Sequence, residues 1–158
     1  MTEDAFMNHS TSFLPGALLA AGLGLLLLVP ATSIAGDAKA IQGVWRGARF
    51  SAGKGDDPDK GVALELAFKD NHITGKRLPE EKLIGEGDFK LSADGKCMDA
   101  TGITGGFKGK SYLGIFKMEG DTLFWCVTTS GNAADRPAGF VAEPSKKSYL
   151  IIVKRHKP

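Results

Sequence analysis

A chain of 158 residues with 42% apolar and 24% charged side chains has the make-up of one globular domain plus a targeting segment, far from that of disordered chains. Its formal net charge of +2 is too small, and its Lys and Arg too dispersed, to point to nucleic acid as a partner. Gly is over-represented, with 21 scattered copies, which implies many tight turns and therefore short strands.

From Leu14 to Val29 the chain is uncharged and apolar apart from Gly and Pro, and Ser33-Ile34-Ala35 follows. An apolar run of about 7–15 residues ahead of a small-x-small site is the pattern of a secretory signal peptide. Residues 1–35 are therefore read as that leader, 36–40 as a short linker and 41–158 as a folded domain exported to the periplasm or the extracellular space. A spanning helix needs about 20 apolar residues, so no stable membrane span is expected after cleavage. The leader departs from the usual pattern in having no Lys or Arg near its start, and translation from Met7 would remove Glu3 and Asp4.

Beyond residue 40 the pattern changes to short runs of Val, Ile, Leu, Phe and Thr between Gly, Asp, Asn and Pro. The predicted strands are Gly43–Ser51, Val62–Lys69, His72–Lys76, Gly85–Leu91, Lys96–Ile103, Ser111–Met118, Thr122–Thr129 and Ser148–Arg155. In the second of these, Val62, Leu64, Leu66 and Phe68 share one parity, the two-residue period of a half-buried strand. Asp70-Asn71, Asp94-Gly95 and Glu119-Gly120-Asp121 are turns that let neighbours pair antiparallel. Leu78 to Leu83 suits one helical turn begun by Pro79. The longest break is Ser130–Ser145.

Eight strands in so short a domain leave exposed edges and an uncovered face unless the sheet closes. The expected fold is all-β, an eight-stranded antiparallel meander closed into a barrel, with a β-sandwich as the alternative. Such a barrel is either filled by side chains or holds one small ligand. Leu64, Leu66, Phe68, Phe89, Leu113, Ile115 and Trp125 are the candidate ligand-lining residues, with Val62, Leu91, Leu123 and Val127 on the same interior. Gly43, Trp45 and Arg155 are the candidate closure residues, because the start of the first strand lies beside the end of the last in an antiparallel pair.

The Gly-x-Trp opening, with a closing Arg, resembles the start and end of a lipocalin-type barrel. Ile41-Gln42-Gly43-Val44-Trp45, Gly87-Asp88-Phe89-Lys90-Leu91, Gly114-Ile115-Phe116, Gly120-Asp121-Thr122-Leu123-Phe124-Trp125-Cys126, Arg136-Pro137 with Phe140, and Leu150 through Lys154-Arg155 follow one another in the chain. Together they resemble a planctomycete-type family of secreted lipocalin-like domains of unknown function, over about residues 40 to 156. Phe116 stands where Tyr is more usual, and Cys97 is an addition. The resemblance implies the barrel and brings no catalytic residue with it.

Little in the sequence supports an enzyme. Past the leader the only His residues are His72 and His156, and no nucleophile elbow accompanies them. Thr104 to Ser111 imitates a phosphate loop, but Thr104 occupies a required Gly position and a strand follows instead of a helix; a flexible hairpin loop is expected. Asp56, Asp57 and Asp59 lack the spacing of a Ca²⁺ loop, and Glu80, Glu81, Glu86 and Asp88 read as solvated turn carboxylates. Cys97 and Cys126 fall on strands two apart, about 9–10 Å at 4.7–4.9 Å per step, beyond the reach of a disulfide, so two reduced thiols are expected. No metal or other cofactor is indicated. The preferred reading is a monomeric, non-enzymatic binding module for a small apolar molecule; the alternative is a solid-core structural or protein-interaction domain of the cell envelope, contacting partners through Ser130–Ala142 and its basic end.

Overall fold

Alternation along each strand decides which way the sheet curls, and in the computed structural model it curls into a ring. The described residues are 34–51 and 61–157; the expected leader, apart from Ile34 and Ala35, and the aspartates at 56, 57 and 59 lie outside them. A short helix, α1 (Ile34–Ala40), runs through the predicted linker. It leads into β1 (Gly43–Ser51), β2 (Val62–Lys69), β3 (His72–Arg77), β4 (Lys82–Leu91), β5 (Cys97–Gly102), β6 (Ser111–Glu119), β7 (Thr122–Thr128) and β8 (Ser148–Arg155). Each strand pairs with the next, and β1 also pairs with β8, so the meander closes as an eight-stranded antiparallel barrel. This is the up-and-down architecture that lipocalins share, and closure leaves no free sheet edge.

The closing seam runs from Trp45 opposite Arg155 to Ser51 opposite Tyr149. Here β1 and β8 approach closely: a Cβ on Gly47 would lie 2.1 Å from the Ile152 carbonyl oxygen, so no side chain fits at that position. The interior is built from Trp45, Leu64, Leu66, Phe68, Phe89, Phe116, Leu123, Trp125 and their neighbours, all buried. A second, smaller cluster lies outside the wall, where Phe50, Cys126 and Leu150 are covered by Phe140 and Ala142. The 129–147 segment is thus drawn over the barrel. It is anchored by Arg136, whose Nη2 donates to Asp99 Oδ2 at 2.8 Å while Nη1 donates to the Gly114 carbonyl at 2.8 Å.

Two expectations are corrected. The Leu78–Leu83 segment is no helical turn; it reverses the chain between β3 and β4, with a cis Leu78–Pro79 peptide and Glu81 at φ 51°, and Lys82 and Leu83 already belong to β4. Leu113 and Ile115 do not face the interior. On β6 the inward residues are Tyr112, Gly114, Phe116 and Met118, opposite the inward Val127, Trp125 and Leu123 of β7. Leu113 and Ile115 share the outward parity with Ser111, Lys117 and Glu119, and Ile115 packs into the outer cluster. Cys97 and Cys126 are both free thiols, one half-buried and one buried, standing on either side of Ile115 in the register.

Candidate functional site

The two ends of the interior are built differently. At one end Ile41 and Trp45 are fully buried, and the indole N–H of Trp45 donates to the Ile41 carbonyl at 2.8 Å. The Arg155 guanidinium lies 4.2 Å above the Trp45 ring centroid, where attraction to the ring face adds to dispersion. Its Nη1 donates to Gln42 O at 2.7 Å, its Nη2 donates to Ala40 O, and Nε sits 3.5 Å from Asp121 Oδ1. Gly43, at φ 112°, leaves room for this, since a Cβ there would come 3.2 Å from Arg155 Nη1. The three closure residues read from the sequence therefore meet, and Phe68 and Phe89, edge to face at 5.2 Å, belong to the buried interior core.

At the opposite end the inward positions of β3 and β4 are Gly75, Gly85 and Gly87, which put no side chain into the barrel. A cavity of about 390 Å³ remains there, within the range of roughly 300–1,000 Å³ typical of small-molecule sites. Leu64, Leu66, Trp125, Val127 and Ile151 form its apolar wall. The indole N–H of Trp125 is already engaged, donating to the Met98 carbonyl at 3.1 Å.

The β5–β6 loop roofs one side. Its Gly105–Phe107 segment forms a 3₁₀ turn that lays the Phe107 ring over the glycine wall: a Cβ on Gly75 would meet the ring at 2.8 Å, and one on Gly85 at 3.0 Å. Phe107 stacks edge-on with Tyr112 at 5.6 Å. The segment that mimics a phosphate loop is therefore a flap with an aromatic tip, and its Gly105 serves close packing, since a Cβ there would lie 2.4 Å from the Ile84 carbonyl oxygen.

Polar groups gather at this mouth. Arg49, on the inward parity of β1, lines the cavity with Lys110, Tyr112, Tyr149 and the threonines at 101 and 129, and no Asp or Glu is among the described lining residues. The Arg49 guanidinium sits over the Tyr149 ring at 4.8 Å, and its Nε is buried without a hydrogen-bond partner. Burial pushes the Tyr112 phenol above its ordinary value, with nearby Tyr149 adding to the rise and Arg49 opposing it, so Tyr112 remains an O–H donor at neutral pH.

Of the seven predicted lining residues, Leu64, Leu66 and Trp125 line the cavity, Phe68 and Phe89 belong to the packed core, and Leu113 and Ile115 are outside. Sequence reading missed Arg49, Phe107, Tyr112 and Tyr149. A charged residue on the inward parity of β1, alternating with Trp45 and Gly47, was the signal for Arg49; Ser111, Lys117 and Glu119 were the signal that Leu113 and Ile115 face out. Among the described residues no group of three or more His, Cys, Asp or Glu is placed to hold a metal ion, and no helix is long and apolar enough to cross a membrane. His72 Nδ1 lies 3.1 Å from Asp88 Oδ1 as an exposed pair joining β3 to β4. Cys126 has its thiol pushed up to about 11 by burial, helped by Glu143, which disfavours the reactive thiolate. No family model, curated protein or solved structure matches this chain.

Proposed function

We propose that this domain is an exported, non-enzymatic binding module that holds one small, largely apolar molecule in the open half of its barrel. The cavity of about 390 Å³ among Leu64, Leu66, Trp125, Val127 and Ile151 carries the reading. An apolar wall rewards the transfer of a ligand from water by roughly 25 cal/mol per Å² buried, and a few polar groups at one end fix its orientation. The leader-like sequence supports export to the periplasm or the extracellular space. The order of motifs from Ile41 to Arg155 supports kinship with secreted lipocalin-like domains.

Native mass spectrometry of the full chain purified from its source tests this, together with displacement of an environment-sensitive apolar dye. An adduct lost on denaturation and saturable dye uptake are expected, and Leu66→Trp, which fills the cavity, should abolish uptake while leaving the β-sheet circular dichroism unchanged. A bare-chain mass with no dye uptake by the folded protein would overturn the proposal.

A further inference from the structure

The apolar wall explains why a hydrophobic molecule would enter the barrel, but it leaves the groups at the mouth without a purpose. Arg49 is the anomaly among them. Its backbone register places it on the inward face of β1, two residues beyond Gly47 and opposite Ile151, where a Leu or Val would satisfy the packing. Several other charged side chains of the wall are matched: Arg46 with Glu65 at 2.7 Å, Arg136 with Asp99, Lys117 with Glu119 at 2.6 Å. Arg49 has no ion pair with any described residue, its Nε reaches no acceptor, and it is steadied by lying over the Tyr149 ring.

A guanidinium carries five N–H donors and no acceptor. Facing a cavity, it calls for an anion, and its planar fork matches a carboxylate better than any neutral group does. The surroundings agree in sign and in kind. Lys110 adds a second cation at the mouth, the described lining contains no carboxylate to compete, and the Tyr112 hydroxyl beside them offers a further donor. The polar groups also sit together at one end of a chamber whose remaining wall is aliphatic and aromatic, so a ligand that satisfies both must itself be two-ended.

We infer that the ligand is an amphipathic monocarboxylate, its hydrocarbon part buried against Leu64, Leu66 and Trp125 and its carboxylate held at the mouth by Arg49, with the Tyr112 hydroxyl beside it. The inference rests on the proposed binding of an apolar molecule and adds the charge and polarity of its head. Phe107, packed on Tyr112, stands next to that head and screens it from water on the side of the β5–β6 loop.

Three probes of equal chain length separate the alternatives: dodecanoate, dodecanol and dodecylamine, each titrated into the full chain with the fluorescence of cavity-lining Trp125 and calorimetry as readouts. Charge-assisted hydrogen bonds of this type correspond to about 10- to 100-fold in affinity, so dodecanoate is expected to bind tighter than dodecanol by that factor and dodecylamine to bind weakest. In Arg49→Gln the acid's advantage should fall to within about twofold of the alcohol while the alcohol's own affinity is unchanged, and Arg49→Lys, which keeps the charge and loses the plane, should retain only part of it. Equal binding of acid and alcohol by the unaltered protein, or tighter binding of the amine, overturns the carboxylate and leaves the apolar chamber standing. An Arg49→Gln variant that weakens acid and alcohol alike overturns the role of Arg49. Failure of all three probes to bind sinks the binding module itself, and this inference with it.

Discussion

The closed and open ends of this barrel are made of the same kinds of residue and put them to opposite uses. Each end has an Arg over an aromatic ring, Arg155 on Trp45 at 4.2 Å and Arg49 on Tyr149 at 4.8 Å. At the closed end each nitrogen of the guanidinium has a partner, the backbone carbonyls of residues 40 and 42 and the Asp121 carboxylate, and the Trp45 ring beneath it is fully buried. At the open end the Nε has no acceptor among the described residues and the side chain lines a chamber of about 390 Å³. A stacked arginine with its donors satisfied is a structural seal. One whose donors face a chamber is poised to receive something, and the difference lies in what surrounds the ring pair, not in the pair.

The sharpest way to break the comparison is to remove Trp45. Trp45→Ala empties a fully buried site and should cost about 3–5 kcal/mol in urea melts, enough to threaten folding of a domain this size. Arg155→Ala loses both the stack and the carbonyl bonds and should cost about 2 kcal/mol, with Arg155→Lys nearer 1. A double-mutant cycle of Trp45→Phe with Arg155→Ala should return a coupling of about 0.5–2 kcal/mol, and a coupling near zero would mean that the seal is packing alone. The open-end counterparts should be nearly silent in the same melts: Phe107→Ala below about 1 kcal/mol, and Arg49→Leu within about 0.5 of the parent protein or above it, because an unpaired cation is replaced by an apolar group. If Arg49→Leu instead destabilises as much as Arg155→Ala, the open-end arginine is structural and the contrast collapses.

Acid gives the smallest and most selective effect. The Asp121 carboxyl is held below its ordinary value by its hydrogen bond to Lys157 and by the charges of Lys157 and Arg155. A depressed carboxylate contributes stability that is present above its ordinary value of 3.8 and is lost as pH falls through the lower folded value. Melts taken as pH falls below that value should therefore show a small loss that Asp121→Asn removes, while Tyr112→Phe at the open end should leave this acid limb as it is.

How much of this was legible in the sequence depended on which residue property carried the signal. The eight strands and the seam were legible because alternation and turn residues are local: β1, β2 and β8 have the bounds expected of them, and placing Trp45 opposite Arg155 required only antiparallel closure. The parity of β6 was misread because Leu113 and Ile115 put two apolar residues in the middle of an outward face whose ends are Ser111, Lys117 and Glu119, and Ile115 is there for a long-range contact, the outer cluster with Phe140 and Ala142 of the 129–147 segment. The chamber was the least legible part. It lies beside Gly87, where no side chain enters, and under a loop from another hairpin whose Phe107 ring takes the space over Gly75 and Gly85, so its volume is a sum over the whole ring. Glycine in a strand can mean a bulge, a bend or a close approach, and only the assembled register shows which.

The hydrogen bond from Arg155 to the Gln42 carbonyl joins residues 113 positions apart, and it fixes an order of events during synthesis. β1 leaves the ribosome first, yet one of its two edges stays bare until β8 has been made, because no other strand pairs there. Loop-closure entropy over that span slows the final step, and every shorter nascent chain presents an open strand carrying Trp45 without its cover. Proteolysis of chains arrested at successive lengths should accordingly show protection of Trp45 arriving in one late step, when residues 148–155 become available, and not gradually as β2 to β7 are added.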